Sequence, residues 1–96
     1  MVTQKQIDIC IEVAKKYGVT KLLLFGSATE DMATARDIDF LCYGIKEYDM
    51  LMMAGMMELE AQVSVDVVPA DEETPFVKLN LPRAKVVYEK GEGSEG

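Results

Sequence analysis

Two spacings of apolar residues alternate along this chain, and each change of spacing marks a new element. Ile7, Cys10, Ile11 and Ala14 recur at helical intervals, which defines one face of an amphipathic helix. Thr3 and Gln6 have the separation of a capping box, and Gly18 supplies a stop, so the helix is predicted between them. Lys21 to Phe25 is a continuous apolar run closed by Gly26. It is too short for a helix and predicts a central strand.

Ala28 to Ala35 predicts a short helix, with Thr29, Asp31 and Thr34 as poor interior residues. From Asp37 to Tyr43 the period falls to two: Asp37, Asp39 and Leu41 take one face, and Ile38, Phe40 and Cys42 the other. Gly44 ends that strand. Glu47 to Gln62 predicts the longest helix, and Val63 to Pro69 a third strand with Ser64, Asp66 and Val68 opposite Val63, Val65 and Val67. Thr74 and Pro75 have the order of a cap and a first helical residue for a helix reaching Leu81, and Lys85 to Tyr88 predicts an edge strand.

Helices between strands give an α/β (α+β) class, a small mixed β-sheet with helices packed on it. Residues 1–90 make one domain, and 91–96, GEGSEG, has no apolar residue and is expected to be a disordered tail.

With 96 residues and a hydrophobic share of 49%, the chain can build one modest core, and a partner chain, of its own kind or another, would add burial. The formal net charge of -7 excludes tight binding of long nucleic acid, which needs cations to displace counterions. Cys10 and Cys42 both lie in apolar-periodic segments and read as buried free thiols in a reducing compartment. The first residues show no secretory pattern, and the apolar run Met50 to Met57 is far short of the ~20 residues that span a bilayer. No membrane association and a cytoplasmic location are the expectation.

Charge inside an apolar pattern demands a use. Asp37 and Asp39 flank one isoleucine at the start of a strand, so their carboxylates point the same way, with Cα atoms about 6.5 to 7 Å apart. Asp66 can join them from a neighbouring strand. Three uncompensated acids repel one another, whereas hard divalent cations such as Mg²⁺ favour such oxygen ligands. Gly26 allows close backbone approach to a phosphate, and Ser27 adds a hydroxyl where the next helix begins. Taken alone, Gly26-Ser27 is an ordinary turn, Asp37 ends a loop and Asp39 faces solvent; the presence of Asp66 tips the balance toward a metal site.

Gly26-Ser27, nine residues from Ala28 to Arg36, then Asp37-Ile38-Asp39, with Asp66 on a later strand, resemble the signature of the DNA polymerase β-like nucleotidyltransferases. The shortness of the chain resembles their minimal nucleotidyltransferase (MNT) branch. The resemblance covers about residues 3 to 90 and implies a nucleotidyltransferase fold. It also implies that Asp37, Asp39 and Asp66 ligate two Mg²⁺ ions, and that Asp66 orients the attacking hydroxyl. Gly26 and Ser27 would grip a nucleoside triphosphate. It further implies transfer of AMP from ATP to a hydroxyl, and the role of an antitoxin whose partner is a helical HEPN-domain toxin.

This chain departs from the family pattern in one place. Ala28, Thr29, Glu30 and Asp31 stand where many minimal members carry basic residues. Arg36 stands either to compensate them at the nucleotide or to pair with Glu30 or Asp31. Met52, Met56, Leu59 and Val63 form one helical stripe, and Met50, Met53 and Met57 another. That exceeds what one sheet face requires and leaves apolar surface for a partner. Lys78, Arg83 and Lys85 are open to phosphate or partner binding, but isolated basic residues of this kind read more readily as solvated surface, and no catalytic role is assigned to them. The rival expectation is a binding module that neutralises its partner by occlusion, for which Glu30 and Asp31 argue.

Overall fold

A computed structural model describes residues 1–91. Its elements run α1 (Gln4–Lys16), β1 (Lys21–Phe25), α2 (Ser27–Glu30), β2 (Asp37–Tyr43), α3 (Glu47–Ala61), β3 (Ser64–Pro69), α4 (Pro75–Asn80), a 3-10 turn (Leu81–Arg83) and β4 (Lys85–Glu89). The strands form one mixed sheet in the order β3-β2-β1-β4. β1 is antiparallel to both β2 and β4, and β2 is parallel to β3. This is the α+β arrangement expected, with β1 inside the sheet and β4 at its edge. Apart from Gly91, the tail expected beyond residue 90 lies outside the described residues.

The capping box at Thr3 and Gln6 forms as predicted: the Thr3 hydroxyl accepts from the Gln6 amide, and Gln6 Oε1 accepts from the Thr3 amide. Gln6 also donates from Nε2 to the carbonyl of Ala61, so one side chain ties the start of α1 to the end of α3 and satisfies a terminal carbonyl there. The buried positions of α1 are Ile7, Cys10, Val13 and Ala14, while Ile11 is half-buried. α3 ends at Ala61 because Gln62 turns left-handed at φ 56°, and Glu58 Oε2 then accepts from the Val65 amide to aim the chain into β3.

Strand alternation divides the core in two. Leu22, Leu24, Ile38, Phe40, Cys42 and Val65 pack with Ile7, Val13, Met53 and Met57 of the two long helices. On the opposite face, Leu23, Phe25 and Leu41 pack with Ala70 and with Val77 of α4. Phe76 of α4 meets the ring of Phe25 edge-on, with centroids 5.7 Å apart. The second layer is small and leaves the Asp37–Asp39 end of that face uncovered, which is where the site lies.

The helix expected over Ala28 to Ala35 shrinks to the single turn α2. Asp31 is extended at φ -153° and ψ 99°, and its carboxylate accepts from the Ala33 amide. The Thr34 hydroxyl donates to the Asp31 carbonyl. Short polar side chains bonding to nearby backbone compete with helix, which is why the segment turns instead. The turn is anchored from outside by the Val2 amide, which donates to the Met32 carbonyl.

Candidate functional site

Register brings the chemistry to one end of the sheet. In the antiparallel pair of β1 and β2, Asp39 lies opposite Phe25, and in the parallel pair of β2 and β3 it lies opposite Asp66. Asp37 is two residues earlier on the same face of β2. The end of β1 therefore meets the beginnings of β2 and β3, and Gly26 follows directly.

Gly26 adopts φ 80° and ψ -159°, a region essentially reserved for glycine. Its second reason to be glycine is contact. A Cβ placed there would strike Oδ2 of Asp39 and stand 3.2 Å from its Cγ. The main chain crosses directly over the carboxylate, so the Asp39 side chain is fixed beneath a turn with no room for another atom.

Asp39 is half-buried, whereas Asp37 and Asp66 are exposed. Its proton affinity is raised above that of an ordinary aspartate, first by desolvation, then by the negative charges of Asp66 and Asp37, and by a hydrogen bond to Asp66 that favours the protonated form. Among the described residues, no Lys or Arg forms an ion pair with any of the three; the ion pairs present are Lys15–Glu12 and Lys21–Glu89. Nor do three acidic, His or Cys side chains among those residues close into a ready-made metal group. Asp39 and Asp66 are drawn together, with Asp37 beside them on the strand.

On the other side of Gly26 lies a cavity of about 330 Å³, lined by Phe25, Gly26, Ser27, Thr29, Glu30, Asn80 and Arg83. That volume is at the lower end of small-molecule sites. Gly26 and Ser27 both line it. Arg36 is exposed and does not contribute to its wall, and no ion pair with Glu30 or Asp31 forms among the described residues.

The cation in the wall is Arg83, read from the sequence as solvated surface, and its position follows from strand register. β4 runs antiparallel to β1 with Lys85 opposite Leu24, so the residues just before Lys85 must lie beyond the end of β1, beside Gly26. Asn80 comes with it at the end of α4, where its side-chain amide also donates to the Phe76 carbonyl. No local motif in the sequence marks either residue, because the neighbourhood is created by pairing the inner strand β1 with the edge strand β4.

The chain shares its fold with chains from solved toxin–antitoxin structures, among them a HEPN toxin in complex with an MNT antitoxin. A mutant MntA–HepT toxin–antitoxin complex matches with a TM-score of 0.74 at 14% identity, over 95% of this chain and 76% of that one. A toxin–antitoxin structure with AMP-PNP matches at 0.73 and 14% identity, over 88% and 73%. The tri-AMPylated Shewanella oneidensis HEPN toxin in complex with its MNT antitoxin matches at 0.70 and 16% identity, over 90% and 71%. No family model and no curated protein matches the sequence.

Proposed function

We propose that this chain is a nucleotidyltransferase antitoxin that moves AMP from ATP to a hydroxyl on a HEPN-type toxin and silences it. The observation that carries this reading is the Asp39 carboxylate lodged under Gly26, with Asp66 beside it and a ligand-sized cavity across the same glycine. The solved AMP-PNP and AMPylated complexes of similar fold support the choice of nucleotide and acceptor. A cytoplasmic setting belongs to the same reading, and no helix among the described residues is long and apolar enough to cross a membrane.

The donor set suits a hard divalent cation, since its ligand atoms are all carboxylate oxygens and its negative charge is uncompensated by lysine or arginine. Asp37, Asp39 and Asp66 would hold Mg²⁺, two ions in this reading, supplying charge neutralisation for the phosphates and the departing pyrophosphate. Gly26 and Ser27 bind the triphosphate, and Arg83 neutralises it in place of the basic residues missing after Ser27. Exposed Asp66 orients the acceptor hydroxyl. The hydroxyl oxygen bonds to the α-phosphorus as the bond to pyrophosphate breaks, and its proton passes to a carboxylate oxygen of Asp66.

The test is transfer of label from ATP to a purified HEPN-domain protein in the presence of Mg²⁺. Transfer lost in Asp37→Asn and Asp39→Asn variants supports the reading, and absence of transfer by the unaltered chain sinks it. Removing a charged hydrogen-bonding partner costs about 1.5–3 kcal/mol. Arg83→Ala should therefore raise KM for ATP by about ten- to a hundredfold, and Arg36→Ala by less. A second reading, neutralisation by occlusion without catalysis, is favoured by Glu30, which places a carboxylate in the cavity wall where a triphosphate would lie. It predicts toxin protection that survives both aspartate substitutions.

A further inference from the structure

α3 is apolar on two opposite sides, and only one of them faces the core. Met50, Met53, Met57 and Ala61 are buried. At 100° per residue, Tyr48, Leu51, Met52, Gly55 and Leu59 cluster on the reverse side, where Tyr48, Leu51 and Leu59 are 73%, 72% and 68% exposed. The stripe runs for about 16 Å, three helical turns. A β-carbon added at Gly55 would meet nothing within 4 Å, so the stripe has an open notch between Leu51 and Leu59.

Charge along the borders says what fits there. Asp49 and Glu60 lie on one side of the stripe and Glu47 and Glu58 on the other, and Glu47–Ala61 contains no Lys or Arg. Acids in the first turn favour the helix, but Glu58 and Glu60 stand at its C-terminal end, where the dipole disfavours them. Glu58 has a structural use, holding the Val65 amide. Among the described residues Glu60 makes no hydrogen bond or ion pair through its side chain that would offset that position.

We infer that this outward face of α3 docks an amphipathic helix of a partner protein, one whose apolar ridge is bordered by lysine and arginine. A large side chain of that ridge fills the notch at Gly55, and Met52 and Met56 adapt around it. The basic borders lie along the two acidic ones, which sets register and orientation. A second copy of this chain is the wrong occupant, because it would bring acid against acid on a molecule already at -7. The inference rests on the proposed reading only in requiring a protein partner; nucleotidyl transfer plays no part in it.

The experiment titrates the full chain with two helical peptides of about four turns that share a leucine ridge, one bordered by Lys and Arg and the other by Glu. Fluorescence anisotropy should show the basic peptide binding about tenfold more tightly or better, with affinity falling as salt rises. Amide shifts should map to Tyr48, Leu51, Met52, Gly55 and Leu59. The double variant Leu51→Gln/Leu59→Gln should lose about tenfold in affinity while its thermal midpoint stays unchanged. Equal binding of both peptides, shifts on another face, or indifference to the double variant overturns the inference. So does a dimer of the chain that sedimentation detects and the double variant abolishes. Peptide binding by an unaltered chain that transfers no label to any HEPN protein sinks the proposed function alone; label transfer without peptide binding sinks this inference alone.

Discussion

Gly26 combines a backbone conformation that costs other residues about 1–3 kcal/mol with van der Waals contact against Asp39. Gly26→Ala should lower stability by at least that amount, measured by denaturant midpoint, and should weaken nucleotide binding by displacing the carboxylate. Asp39 gives a prediction of opposite sign. Its folded-state pKa is raised above the ordinary 3.8, so the fold holds its proton more tightly than the unfolded chain does. The favourable contribution is complete below the unfolded value and is lost as pH rises through the folded one. Without divalent ions, the thermal midpoint should decline over that interval, and Asp39→Asn should be more stable than the unaltered chain near neutrality while losing transfer activity. A midpoint independent of pH there would refute the account. Asp39, Asp66 and Gly26 were legible in the sequence because strand period two and a glycine stop are local signals. Arg83 was not, since only the pairing of β4 with β1 carries it to Gly26.

The methionine-rich segment divides sharply once α3 is packed. Met53 and Met57 are fully buried against the sheet, whereas Met52 is half exposed. Met53→Ala should cost about 2–5 kcal/mol through lost contacts and a residual cavity, and Met52→Ala within about 0.5 kcal/mol, as read by urea denaturation. The sequence showed two stripes but gave no means to rank them, because both have helical spacing and the winner depends on where the sheet lies. α2 failed as a longer helix for the converse reason. Asp31 and Thr34, poor interior residues from the outset, found backbone partners of their own and released the segment into turns.

Across the molecule, a radius of gyration of 12.5 Å matches the value of about 13 Å for a folded domain near 100 residues. One sheet closes it, with a main layer under two helices and a thin layer under α4. Cys10 and Cys42 are free and buried in it, and burial pushes both thiols up to about 12. Alkylating reagents at neutral pH should leave both unmodified until denaturant is added, as intact mass would record. Early labelling of either would mean that the main layer opens.

The cavity wall draws Gly26 and Ser27 from the first third of the chain and Asn80 and Arg83 from the last fifth. On the proposed reading, a nucleotide seated there would bridge segments that, among the described residues, neither a disulfide nor an ion pair joins. Its arrival should slow deuterium uptake across Pro75–Arg83 as well as at the turn after β1, coupling substrate occupancy to the rigidity of the thinnest part of the fold.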